Sequence, residues 1–218
     1  MTNSLKYKIF WISFFAIWMA YLESAVVVYI REIYFPEGFA FPIKFMPLNM
    51  ALVELGREAA TVFMLLGISF LGSKKRWSRF AIFMLSFGVW DIWYYIWLKV
   101  MLNWPESLLT WDILFLIPVP WASPVLAPVI VSISLIIAGA VILYLEDKDC
   151  RIKIFKYEWI TIITAGLIIF ISFILEAPRV IKPGVPANYY WWLLFLGEFL
   201  GLFIFFKALK RIVKEESL

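Results

Sequence analysis

Six apolar stretches, each long enough to cross a bilayer, constrain this sequence more than any other feature. They fall at about Phe10–Ile33, Leu48–Leu71, Phe80–Val100, Pro124–Leu145, Trp159–Leu175 and Tyr189–Phe206. A helix rises about 1.5 Å per residue, so roughly 20 apolar residues cross the ~30 Å hydrocarbon core. Inside that core every backbone N–H and C=O must be satisfied by the chain itself, and for segments of this length the helix does so. The expected fold is therefore all-α, a polytopic transmembrane helical bundle of about six spanning helices. It forms a single integral-membrane domain over residues 1–218. Composition agrees, with 64% hydrophobic and only 17% charged residues, where soluble domains run nearer half and a quarter. This excludes an ordinary soluble enzyme, a disordered tail and a nucleic-acid binder.

The first apolar run follows Lys6 and Lys8. A cleavable signal would have a shorter apolar core and small residues before the cut. Cleavage after Ala20 would put Trp18 where a small residue is needed, so the segment is expected to stay as the first helix. Basic residues then set the direction. The N-terminus, the second and fourth connections and the C-terminus together carry 14 Lys and Arg, against 5 on the other side. The positive-inside rule places both termini in the cytoplasm of a multi-pass protein of the cell membrane. The net charge of +4 and pI of 9.1 follow from the same rule and call for no anionic partner. Aromatic clusters at Tyr189–Trp192 and Trp93–Trp97 mark the outer interface.

The residue inventory narrows the chemistry. There is no histidine and a single cysteine, Cys150. Haem held by His, zinc sites containing His, Fe–S clusters and His-based triads are excluded. Carboxylates, Arg, Lys, Tyr, hydroxyls and backbone groups remain.

Between spans three and four, Asn103-Trp104-Pro105-Glu106 resembles a capping box with proline in the first turn. The following Ser107–Ile117 stretch is too short to span and must end near Pro118. It is expected to form a short interfacial or re-entrant helix, either covering the helix ends or acting as a lid.

Ionisable residues inside spans are costly and mark function by default. Counting along the helices, Glu23 and Glu58 lie about 15 Å from the outer end, Glu54 about 9 Å, and Arg57, Asp91 and Glu198 about 13 Å. Four helices thus bring carboxylates to one level in the outer half. Glu54, Arg57 and Glu58 stand at i, i+3 and i+4 and share a face. Asp91, Tyr94 and Tyr95 do likewise, so a tyrosine hydroxyl could bond the carboxylate. Gly197 and Gly201 bracket Glu198 as a close-approach motif. Pro128 lacks an N–H, which would free the carbonyl of Pro124 to coordinate an ion or water. Asp112 is a further supporting candidate, the alternative being that it only faces solvent, and Arg31 and Glu176 are expected to snorkel at helix ends.

Five acids facing one Arg in low dielectric must hold protons or a cation. An all-oxygen donor set suits a hard cation, Mg²⁺, Ca²⁺, Mn²⁺ or Na⁺. Three functions fit: cation- or proton-linked transport of a small solute or ion, an intramembrane enzyme acting on a lipid or isoprenoid, and an accessory or structural subunit. The partners expected are the lipid bilayer, a small ion, solute or lipid ligand, and either a second copy or a membrane-complex partner. A purely structural ion network is the competing account of the same charges.

Overall fold

The computed structural model describes residues 2–38, 46–176 and 188–216, the side chains of 215 and 216 excepted. Among them are six helices: α1 Asn3–Tyr34, α2 Leu48–Gly72, α3 Arg76–Leu102, α4 Leu126–Asp147, α5 Lys156–Ile174 and α6 Trp191–Glu216. Five are long and apolar enough to cross a membrane. The other, α2, has 25 residues and carries Glu54, Arg57 and Glu58 in its N-terminal half. The chain is a membrane-embedded helical protein.

Helix α3 is the hub. Helices α1, α2 and α4 pack on it, whereas α1 and α2 barely touch one another. Helix α5 pairs with α6, and α6 meets α4 more lightly. Close backbone approach between α3 and α4 requires two glycines. A methyl at Gly88 would come within 2.6 Å of the Ser132 carbonyl, and one at Gly139 within 2.7 Å of the Ala81 carbonyl. Side chains also tie α1 to α3. The Ser24 hydroxyl lies 3.1 Å from the Tyr94 carbonyl, and the Trp97 indole donates to the Ile17 carbonyl at 3.0 Å.

The connection from α3 to α4 corrects the expectation of a short helix. Asn103 ends α3 in the left-handed conformation, at φ 53°, instead of capping a new helix. The chain then turns and forms a two-stranded antiparallel hairpin, β1 Trp111–Phe115 and β2 Trp121–Pro124. Pro118 and Pro120 occupy the turn, where neither owes an N–H to the ladder. A bulge falls between Ile113 and Phe115. The hairpin caps α4 as well, since the N–H groups of Val125 and Leu126 donate to the Thr110 and Leu108 carbonyls. Those N–H groups would otherwise lack partners at a helix start.

Pro124 therefore lies in β2, ahead of α4. Its carbonyl accepts the Ser123 hydroxyl at 3.1 Å. Pro128 falls in the first turn of α4, where a missing N–H costs little. The expected freed helical carbonyl does not arise.

Candidate functional site: a carboxylate-lined cavity under the hairpin

A cavity of about 110 Å³ lies between α1, α2 and α3 beneath the hairpin. Each wall contributes charge. Glu23 and Arg31 come from α1, Glu54, Arg57 and Glu58 from α2, Asp91 from α3 and Asp112 from β1. Trp90, Tyr94 and Tyr95 of α3 complete the polar lining.

The helical spacing in α2 sets the first group. Arg57 is clamped by Glu23 and by both oxygens of Glu54, with its Nε donating to Glu54 Oε2 at 2.9 Å. The Thr61 hydroxyl donates to the other Glu23 oxygen at 2.8 Å. This network fastens α1 to α2 where the two helices otherwise scarcely meet.

A second ion pair joins α1 to the hairpin. Arg31 Nη2 lies 3.1 Å from Asp112 Oδ1, and the guanidinium sits 3.7 Å over the Trp104 ring. Neither residue faces solvent, with exposures of 7% and 2%. The snorkelling expected of Arg31 and the solvent-facing alternative for Asp112 are both overturned, because the pair is core. Glu176 is likewise buried. Burial pushes the Asp112 carboxyl up to about 6, against the pull of the Arg31 guanidinium. The Tyr95 hydroxyl also favours the charged Asp112, yet falls outside hydrogen-bond geometry.

Among the described residues, two carboxylates in this cavity have only neutral hydrogen-bond partners and no ion pair. Both oxygens of Glu58 accept the Leu116 N–H, at 3.0 and 2.9 Å, at the end of β1. Asp91 Oδ2 accepts the Ser132 hydroxyl from α4 at 2.7 Å. Among the described lining residues, five carboxylates face two guanidiniums, a formal balance of −3. The acids stand around the cavity: among the described residues no group of three or more converges as a metal site would require.

Among the described residues, three buried side-chain polar atoms have no hydrogen-bond partner: Trp90 Nε1, Tyr95 Oη and Asp112 Oδ2. All three belong to residues lining this cavity. An unpaired buried polar group costs about 1–3 kcal/mol. Two donors and an acceptor around one cavity form a set that a small polar guest or water would satisfy.

Of the residues singled out from sequence, Glu23, Glu54, Arg57, Glu58, Asp91, Tyr94, Tyr95 and Asp112 are brought together here. Glu198 is not. It faces α4 from α6, where Ser134 donates to it at 2.6 Å, and it lines a different cavity. Asp91 bonds Ser132 of α4; its helix-mates Tyr94 and Tyr95 do not bind it. Of the two glycines beside Glu198, Gly197 packs so closely on α5 that a methyl there would come within 2.8 Å of the Ala165 carbonyl, while one at Gly201 would meet open space. Sequence reasoning missed Arg31 and Trp90 as site residues. Arg31 signals itself in the sequence only as a basic residue in the last turn of its helix.

No known protein family, curated protein or solved structure matches this chain.

Proposed function

We propose that this chain is a multi-pass protein of the cell membrane, both termini cytoplasmic, that carries out cation- or proton-linked transport. The cavity beneath the hairpin is its binding site, and a small cationic solute or a proton is what it takes. One observation carries the proposal: among the described residues, Glu58 and Asp91 face the cavity with hydrogen-bond donors but without an ion pair. In low dielectric such carboxylates require a proton or a positively charged guest.

The reading also supplies a coupling. Glu58 holds the end of β1 through Leu116. A carboxylate accepts this N–H more strongly than a protonated acid does. Arrival of a proton or cation at Glu58 therefore loosens the hairpin over the site.

Inner-half hydroxyls support a gated carrier over a channel. Ser69 and Ser86 are spent on carbonyls of their own helix, those of Leu66 and Phe83. A continuous polar path would need such groups to face one another. The enzyme alternative would use Arg57 to hold an anionic head group, but Glu23 and Glu54 already occupy that guanidinium.

The test is flux in proteoliposomes, with an entrapped pH dye for protons and labelled methylammonium as a small cationic probe. Gradient-driven, saturable flux that falls in E58Q and in D91N is expected. Flux that is absent, or equal in wild type and both variants, overturns the proposal.

A further inference from the structure

A second cavity, of about 240 Å³, separates the α3/α4 pair from the α5/α6 pair. Its lining is apolar except for Ser134 and Glu198, which bond each other at its far end. On α6 the lining runs from Gly197 to Ile212. At about 1.5 Å per residue this is a slot about 22 Å long.

The glycines along it are informative. A methyl at Gly166 or Gly201 would meet nothing within 4 Å, although one at Gly197 would collide with α5. The slot thus widens just past the tight α5–α6 crossing, and Gly166 is exposed there, so it opens sideways along α5. A single hydrocarbon chain suits its length and narrowness.

Charge selects the head group. At the Ile212 end the slot is lined by Ile152 and Ile154, beside which Arg151 and Lys153 stand exposed. Nearby acids are already engaged: Glu158 by Arg211, Glu146 and Asp149 by Lys75, and Asp147 by Thr2. We propose that the slot holds one acyl chain of an anionic membrane phospholipid. The chain runs up to the Ser134–Glu198 pair, and its phosphate rests against Arg151 and Lys153. This site is separate from the carboxylate cavity and does not depend on transport.

The test is native mass spectrometry of the lipid-depleted full chain in gentle detergent, titrated with phosphatidylglycerol or with phosphatidylcholine of the same chains. One phosphatidylglycerol per chain is expected, bound more tightly than phosphatidylcholine. G166L and G201L fill the slot and should each weaken binding roughly tenfold, the equivalent of excluding about two methylenes. Their thermal midpoints in lipid-free detergent should hold or rise. R151Q and K153Q, at exposed positions, should each narrow the phosphatidylglycerol preference roughly fivefold. Undiminished binding in both glycine variants, or equal affinity for the two lipids, overturns the proposal. A wild-type dimer dissolved by G201L would overturn it in favour of a second copy as occupant.

Discussion

Replacing Asp112 with asparagine removes the titrating group of the hairpin while keeping its shape. Burial holds this carboxyl at about 6 in the fold, against an ordinary value of 3.8. A raised folded-state value means that the folded protein binds the proton more tightly than the unfolded one. The stability Asp112 contributes is thus fully present below about pH 3.8 and is lost as pH rises through about 6. The gap amounts to about 3 kcal/mol across that window. The amide of D112N cannot titrate, so the wild-type minus D112N difference in unfolding free energy should fall by about 3 kcal/mol between roughly pH 4 and pH 7. Unfolding in mixed detergent micelles, followed by tryptophan fluorescence at several pH values, measures it. The partner gives the complementary result. R31L strands a buried carboxylate and should cost about 3–5 kcal/mol at neutral pH. It should cost less near about pH 5, where protonated Asp112 needs no cation, and R31L/D112L should recover much of the loss. A difference curve flat with pH, or an R31L cost independent of pH, would refute the account of this pair.

Arg57 neutralises two acids at once, so R57L should destabilise by about 3–5 kcal/mol or prevent folding. R57K, which cannot clamp Glu54 with two parallel bonds, should fall between it and wild type in the same unfolding assay. At the α3–α4 crossing, G88L and G139L force side chains into backbone carbonyls and should cost at least about 1–3 kcal/mol by overpacking. G67A meets nothing and should stabilise by about 0.5–1 kcal/mol through helix propensity. E58A releases the Leu116 N–H, so hydrogen exchange across 111–121 should accelerate several-fold, whereas unchanged exchange would deny Glu58 its hold on the hairpin.

Hydropathy made the helices legible because a membrane span must be continuously apolar, and α1 to α6 follow the six apolar stretches closely, several extending beyond them into polar flanks. The hairpin escaped because both of its faces are covered. Trp111, Ile113 and Phe115 alternate with Asp112 and Leu114, and Leu114 erases the period-two pattern that a half-solvated strand would show. The Asn103–Glu106 spacing then favours a helix that the left-handed turn at Asn103 forbids. Within the site, the α2 triad was legible because i, i+3 and i+4 spacing fixes a face whatever surrounds it. Glu198 shares the right depth, but depth along a helix says nothing about rotation around it or about neighbours. Its partner is set by α6 lying against α4 and α5, a tertiary fact. Arg31 and Asp112 look peripheral in the sequence for the same reason. The fold brings the hairpin back over α1, and only then do two residues far apart in sequence become one buried pair.

The proposed cation-accepting site rests on Glu58 and Asp91. It is tested most directly by currents from proteoliposomes on a solid-supported membrane after a jump in pH or methylammonium. The account predicts a saturable current in wild type and in E32Q, a change at an exposed glutamate outside the cavity. E58Q and D91N should each reduce it at least about tenfold, the effect of losing about 1.4 kcal/mol of binding. Equal currents in wild type, E58Q and D91N would contradict it.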